Sequence, residues 1–270
     1  MSDFSSLSPE YQRRAVLQQS ASEKLFDLLP IQPSDNVLDL GCGPGHLTRR
    51  IRELTNGTVV GVDPAEGMIA QARQNVLDAS ISFYVCDAES LDSVDVFDLI
   101  FCNSAFQWFR NPGRALRNCF RALRAHGRMG VQAPARADYC PNFIQATAAL
   151  LADPRTCATF LRFRSPWFLL ETPEAYADLF EASGFVVRSC QIEKITEFSS
   201  PARVLEMFES GASTGYLNPD CYDVPLPLGF IENAREVISR SFYSQARGDG
   251  TVAITFYRVY LVAHRESSDG

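Results

Sequence analysis

A chain of 270 residues, 46% hydrophobic and 21% charged, has the composition of an ordinary globular protein and the length for one large domain or a core with a lid. A net charge of −7 and a pI of about 5.1 argue against a surface built to hold nucleic acid or an anionic membrane, although they leave room for a local basic patch. No run approaches the roughly 18 apolar residues of a membrane span, and the opening MSDFSSLSPEYQRR lacks an apolar signal core, so a soluble, cytoplasmic protein is expected.

Residues 9–29 carry apolar side chains on one helical face, ending in Leu25, Phe26, Leu28 and Leu29, and Pro30 and Pro33 close that helix. NVLDL (36–40) reads as a short strand, followed by a helix from about His46 to Leu54. Asn56-Gly57 makes a turn, TVVGVD (58–63) a strand, and PAEGMIAQARQNV a helix with Pro64 in its first turn. ISFYVCD (81–87) and FDLIFCN (97–103) are the third and fourth strands. GRALRNCFRALRAHG (113–127) reads as a helix stopped by glycine, with His126 in the helix-ending turn, and RMGVQAP (128–134) as a fifth strand. Strand and helix alternate through short loops, which predicts an α/β fold whose parallel sheet is covered on both faces.

The rhythm changes after Pro134. Residues 137–171 are predicted mostly helical and carry Tyr139, Phe143, Phe160, Phe163, Trp167 and Phe168. TPEAYADLFEASG (172–184) is a capped helix with a glycine end, and FVVRSCQIEKITEF (185–198) a strand. Residues 200–248 read as helical, interrupted by YLNPDCYDVPLPLG, and TVAITFYRVYLVAHR (251–265) is a long final strand. A late strand pair joined by a long insertion predicts an antiparallel edge. The expected organisation is an N-terminal helical segment (1–35) closing the site and a ligand-binding core (36–136). The segments 137–171 and 199–250 then form a helical cap, while 172–198 and 251–265 complete the core sheet. The eight cysteines, at 42, 86, 102, 119, 140, 157, 190 and 221, make no C-x-x-C pair, and three histidines add no ligand cluster. Reduced thiols and no metal site are expected.

The glycines Gly41, Gly43 and Gly45 stand as G-x-G-x-G between the first strand and its helix. In an open α/β sheet ligands bind outside the carboxyl ends of the strands, and glycine lets the backbone pass close to them. The helix start supplies free N–H groups. The spacing departs from the dinucleotide fingerprint G-x-G-x-x-G: the third glycine comes one residue early and Pro44 sits in the loop. Asp39 places a carboxylate beside the loop, where a pyrophosphate would be repelled and an ammonium attracted. The charge favours an adenosine-bearing cofactor with a cationic end.

VLDLGCGPG resembles the first motif of the class I S-adenosylmethionine-dependent methyltransferases, and further motifs follow in order. VVGVD ends in Asp63, where the family places an acid on the ribose hydroxyls. CDAESL supplies Asp87, where the family binds the adenine amino group, with the Ala88 N–H beside it. FDLIFCNSAFQW matches the fourth-strand motif. The resemblance covers about residues 36–134 and implies a Rossmann-like sheet with S-adenosyl-L-methionine as cofactor. The implied cofactor contacts are Asp39, Gly41, Cys42, Gly43, Gly45, Asp63, Pro64, Met68, Asp87, Ala88 and Asn103. Plainer readings stand beside three of these, Asp63 as a cap for the helix at Pro64, Asp87 as a turn aspartate and Cys42 as small packing, and His46 reads as the structural opening of its helix.

A methyl acceptor that is a carboxylate is already ionised at neutral pH and needs positioning, whereas amines and phenols need help in losing a proton. Neither His126 nor His264 is a convincing base. QQSASEKL and NSAFQWF resemble the small-acid carboxyl methyltransferases, which act on trans-aconitate, malonyl carrier protein and juvenile hormone or farnesoic acid. The resemblance implies that a helix glutamine and a tryptophan hold the carboxylate; the matching positions are Gln18 or Gln19, with Gln19 favoured, and Trp108. Successive helical residues point about 100° apart, so one of the two glutamines faces inward. Tyr11 and Arg14 share that helix. Phe143, Phe163 and Trp167 either wall an apolar substrate pocket or pack the cap's own core, and Arg162 and Arg164 either bind a second carboxylate or face solvent. The expected enzyme esterifies a small, apolar-tailed organic acid, as a monomer or homodimer, without nucleic acid or membrane. The alternatives are a C-, N- or phenolic O-methyltransferase of the same fold, a non-catalytic binding module, and a nicotinamide dehydrogenase.

Overall fold

The computed structural model describes residues 21–266. A helix over 21–28 (α1) leads to Val37–Leu40 (β1), His46–Leu54 (α2), Val59–Asp63 (β2), Glu66–Asn75 (α3), Ile81–Val85 (β3) and Phe97–Asn103 (β4). Pro112–Ala122 (α4) and Leu123–Pro134 (β5) follow, then Pro141–Ala148 (α5), Cys157–Phe160 (α6) and Pro173–Glu181 (α7). Val186–Ser199 (β6), Pro201–Glu209 (α8), Ser213–Tyr216 (α9), Phe230–Ser244 (α10) and Val252–His264 (β7) complete the chain.

The seven strands form one sheet in the order β3-β2-β1-β4-β5-β7-β6. Strands β1 to β5 pair in parallel. Strand β7 runs against β5: the Arg265 N–H donates to the Gly127 carbonyl and the Ala135 N–H to the Tyr257 carbonyl. The predicted antiparallel edge is therefore present. Strand order reverses between β1 and β4, the place where α/β sheets open a crevice for ligands.

Alternation along the strands covers both sheet faces. Leu25 and Phe26 of α1, with Leu29 just after it, share a core with Ile51, Ile69, Leu99 and Phe101, and the Phe26 and Phe101 rings stack at 4.5 Å. The α1 packing is close, since a Cβ on Gly130 would lie 2.5 Å from Leu29 Cδ2. A second aromatic group joins Phe106 with Tyr176 and Phe180 of α7, at centroid distances of 6.1 and 5.7 Å. Caps follow the sequence: Asn111 accepts from the Arg114 N–H, Thr172 from the Ala175 N–H and Ser200 from the Arg203 N–H, each before a proline at the helix start.

Three local expectations are corrected. Helix α4 ends at Ala122, five residues before Gly127, and β5 begins at Leu123. Leu123 pairs with Phe97 and Arg128 with Leu99, so residues 124–127 bulge out of the β4–β5 ladder, while the Gly127 carbonyl still bonds to β7. His126 lies in that bulge with φ 63° rather than in a helix-ending turn, and it is exposed. A bulge gives no periodic signal and imitates a helix end when glycine follows it. Helix α3 begins at Glu66 with Ala65 as its cap, so Pro64 precedes the helix. Residues 164–171, expected to continue a mostly helical stretch, carry no helix.

The chain divides into two compact units, with boundaries at Ala133/Pro134, Glu171/Thr172, Gln191/Ile192 and Arg258/Val259. The unit holding β1 to β4 contains the glycine loop. The other, built from Pro134–Glu171 and Ile192–Arg258, has its own core around Phe143, Phe208, Tyr216, Phe230 and Phe242. Among the described residues no helix is long and apolar enough to cross a membrane.

Candidate functional site

The register of the parallel strands brings the carboxyl ends of β1, β2, β3 and β4 together. Asp39 pairs with Gly61 and Phe101, and Asp63 with Val85. The glycine loop leaves β1 at this edge. The Gly41 and Cys42 N–H groups donate to the Val62 carbonyl at 2.8 and 2.9 Å, which ties the loop to β2. Gly41 has φ +78°, and a Cβ there would lie 2.2 Å from Ala105 Cβ, so the loop and the segment after β4 touch at backbone distance. Gly43 has φ +52° and nothing within 4 Å of its would-be Cβ, so here the backbone faces open space. Gly45 caps α2, whose first turn has neither a side-chain cap nor an acid, so its N–H groups suit an anionic group.

Two carboxylates flank this loop. Asp63 is held at both oxygens: Oδ2 accepts from the Gly43 N–H at 3.0 Å and Oδ1 from the Ala65 N–H at 2.9 Å. The second bond closes a two-residue turn, so Asp63 positions the loop and does not cap α3 from its first turn. Asp39 is 2% exposed, and Thr48 Oγ1 donates to its Oδ2 at 2.6 Å. Burial lifts the Asp39 carboxyl to about 7; the Thr48 hydroxyl opposes the rise and the neighbouring Asp63 charge adds to it. A cation beside Asp39 would restore its ionised form. The open face of Gly43, the bare start of α2 and the buried Asp39 together fit a ligand with an amino-acid end, which carries both charges.

The remaining cofactor candidates fall on the same edge. Cys42 is buried against Gly61, and burial pushes its thiol far above the ordinary value, so it packs the loop as an inert side chain. Asp87 is exposed at the end of β3, where its carbonyl accepts from the Ser90 N–H at 3.2 Å. Ala88 is buried, and the Asn118 amide holds the Ala88 and Glu89 carbonyls at 3.1 and 2.8 Å. Pro64 is exposed, and Met68, on the first turn of α3, is 40% exposed. Asn103 ends β4, and its Oδ1 is buried without a partner.

Trp108 closes a 3₁₀ turn, Phe106–Trp108, that starts beside Ala105, the residue lodged against Gly41. It is 40% exposed while its neighbours Phe106 and Gln107 are buried. Gln18, Gln19, Tyr11 and Arg14 lie outside the described residues. His264 is half-buried, and burial followed by the Arg188 and Arg128 charges holds its imidazole below the ordinary range.

The aromatic candidates belong to the other unit. Phe143 is 3% exposed, enclosed by Phe208, Phe242 and Phe256 at 5.3 to 5.8 Å. Trp167 lies against Gly215, where a Cβ would meet its ring at 2.2 Å, and edge-on to Tyr216 at 4.9 Å. Phe163 packs on Tyr216 at 5.1 Å. Phe163 and Trp167 stay half-buried. Arg164 pairs with Asp223 at 2.5 Å, and Arg162 stands 4.0 Å from the same carboxylate. Those two guanidiniums therefore already share an acid.

The sequence reading passed over Thr48, Ser104, Gln107 and Gln132. Gln132 carried a usable signal: a lone amide inside the apolar strand MGVQAP is a buried polar group in search of a partner.

Comparison with known proteins identifies the family. Residues 37–127 match the family described as methyltransferase domain. The chain is 31% identical over 183 residues to trans-aconitate 2-methyltransferase of Deinococcus radiodurans, covering 66% of this chain and 68% of that protein. It is 24% identical over 242 residues to the trans-aconitate 2-methyltransferase of Methylobacterium nodulans, covering 89% and 91%. It is also 34% identical over 131 residues to malonyl-[acyl-carrier protein] O-methyltransferase of Bacillus cereus, covering 46% and 48%. The fold is similar to that of the S-adenosylmethionine dependent methyltransferase from Mesorhizobium loti, with TM-score 0.53, 18% identity, and coverage of 92% of this chain and all of that one. On its fold, its glycine-loop site and these relatives, the chain belongs to the class I S-adenosylmethionine-dependent methyltransferases.

Proposed function

We propose that the protein transfers the methyl group of S-adenosyl-L-methionine to the carboxylate of a small organic acid, giving a methyl ester. When bound, the cofactor supplies an electrophilic methyl on a sulfonium. Asp39 and the start of α2 hold its amino-acid end, Gly41, Gly43 and Gly45 admit it against the backbone, Asp63 holds the ribose, and Asp87 with Ala88 holds the adenine. Pro64, Met68, Cys42 and Asn103 complete the wall. Trp108 and Gln19, or Gln18 in its place, orient the acceptor carboxylate.

One observation carries the carboxylate reading. Two acids of the proposed cofactor site, Asp39 and Asp63, are committed to Thr48, Gly43 and Ala65, and the third, Asp87, is exposed beyond the end of β3 at the proposed adenine position. The polar side chains at and after the end of β4, Asn103, Gln107 and Trp108, are uncharged and include no base, which suits an acceptor that arrives ionised. An indole N–H such as that of Trp108 is a neutral donor that orients a carboxylate without locking its charge, and that charge is lost as the ester forms. The names of the relatives, one for an acid and one for an acyl carrier O-methyl transfer, support the same class.

The test uses methyl-labelled cofactor with trans-aconitate, dodecanoate and farnesoate beside phenols and amines, and treats each product with mild base. Release of labelled methanol from an acid supports the ester; a base-stable product discards it in favour of carbon, nitrogen or phenolic oxygen. Trp108→Phe keeps the ring and loses the N–H donor, so the esterified acid should lose about 1–3 kcal/mol of transition-state binding in kcat/KM. Unchanged turnover removes Trp108 from the carboxylate.

A further inference from the structure

The carboxyl ends of β4 and β5 hold a chain of amides and a hydroxyl. Asn103 and Gln132 are register partners, so their side chains leave the sheet on one side. Asn103 Nδ2 donates to Ser104 Oγ at 3.4 Å, and Ser104 Oγ donates to Gln132 Oε1 at 3.0 Å. The Ser104 N–H donates to the Gln132 carbonyl at 2.7 Å, and Gln107 Nε2 donates to the Ser104 carbonyl at 2.8 Å. Ser104 is held at φ 55°, a left-handed backbone that serine rarely takes.

Three polar atoms of this knot have no partner. Gln132 is fully buried and its Nε2 is unpaired; Gln107 is 7% exposed and its Oε1 is unpaired; Asn103 Oδ1 is unpaired as well. Buried polar groups almost always have a partner, and each exception asks for an explanation. Three exceptions around one strained residue, beside the glycine loop, mark a place that a bound group completes.

The hydrogen bonds also have a direction. Because Asn103 donates into Ser104 Oγ, the Ser104 proton goes to Gln132 Oε1. Gln132 is left with N–H bonds to offer, and Asn103 with a carbonyl oxygen. One end of the chain therefore accepts and the other donates. We propose that Asn103, Ser104 and Gln132 form a polar relay between cofactor and acceptor. In it Asn103 Oδ1 accepts from the cationic cofactor, and Gln132 Nε2 donates to a carboxylate oxygen of the acid substrate. The inference rests on the methyl-ester reading. Gln132 is then a substrate-binding residue and Ser104 a positioning residue that fixes which end of the Gln132 amide faces the acid. A cation at one end and an anion at the other both favour the same orientation of the chain, so the relay matches the charges of the two reactants.

The test compares wild type, Gln132→Glu and Ser104→Gly in steady-state transfer to trans-aconitate, dodecanoate and farnesoate, with S-adenosylhomocysteine affinity measured by calorimetry. Gln132→Glu puts a carboxylate against the acid and should lower kcat/KM about 100-fold or more. Ser104→Gly removes the hydroxyl in a residue that accepts the positive φ. It leaves the buried Gln132 Oε1 without its donor, which the relaxed φ offsets in part, so it should melt somewhat lower than wild type, yet bind S-adenosylhomocysteine within about threefold of wild type and raise KM about tenfold with little change in kcat. Wild-type esterification matched by unchanged KM in Ser104→Gly overturns the relay and leaves the ester reading standing. Wild type that binds S-adenosylhomocysteine but yields no base-labile product on these acids removes the ester reading, and the relay with it.

Discussion

Asp63 and Asp39 are two carboxylates about one loop with opposite surroundings, and each makes a separate prediction. Asp63 keeps Gly43 and Ala65 in place and is the residue proposed to hold the ribose. Asp63→Ala should weaken cofactor binding more than about tenfold in calorimetry, the scale of hydrogen bonds to a charged group; unchanged affinity removes the ribose assignment. Asp39 predicts a pH dependence. Its carboxyl rises from 3.8 to about 7 on burial, so the free protein holds a proton there that the unfolded chain releases. Proton binding by the folded state means that stability contributed by this group is lost as pH rises from 3.8 through about 7 and changes no further above. A cationic cofactor favours the ionised form, so its affinity should climb as pH approaches 7 and then level. Thr48→Val removes the hydrogen bond that holds this carboxyl down, and should move the climb to higher pH. A flat profile between pH 5 and pH 8 would remove the cation from Asp39.

At the scale of elements, the glycine loop and the turn after β4 are one construction. Gly41 meets Ala105, and from Ala105 the chain turns through Phe106 to present Trp108. Gly41→Ala therefore meets both a clash and an unfavourable φ, and should cost about 2–4 kcal/mol in chemical denaturation. Adding Ala105→Gly should recover the clash and leave the backbone part. Gly43→Ala has no clash and should cost about 1 kcal/mol of stability, yet its methyl points into open space where the cofactor is proposed to lie, so affinity should fall more than stability. Equal losses for the two substitutions in both measurements would mean that the loop shapes the fold and not a ligand site. The helices and strands of this unit were legible in sequence because each carries its period and its punctuation. The bulge at 124–127 was not, since residues that leave a ladder carry neither the period of a strand nor that of a helix.

Across the whole molecule, the two units have separate cores, and their substitutions should separate as well. Phe143 makes its ring contacts with Phe208, Phe242 and Phe256, all in the unit of Pro134–Glu171 and Ile192–Arg258. Phe143→Ala should destabilise that unit by about 3–5 kcal/mol while leaving S-adenosylhomocysteine affinity within about twofold. A parallel loss of cofactor binding would show that the units fold as one. The same core explains why aromatic content alone did not identify a substrate pocket. Phe143 is spent on packing, whereas Phe163 and Trp167 keep part of their surface, and no periodicity in residues 137–171 separates the two cases.

The sequence by itself determined the cofactor class and the order of the core elements. The glycine spacing, the acids in β1 and β2, and the short loops are local features, and a parallel α/β sheet places the ends of its strands together whatever the details. Tertiary structure alone decided which polar groups meet. Gln132 and Ser104 are 28 residues apart and join because β4 and β5 pair in a particular register. Asp39 acquires its raised carboxyl from burial, and the Ala105 contact that seats Trp108 depends on the approach of two loops distant in sequence. Register and burial are properties of the packed molecule, and a residue carries no mark of them until its neighbours across the sheet are known.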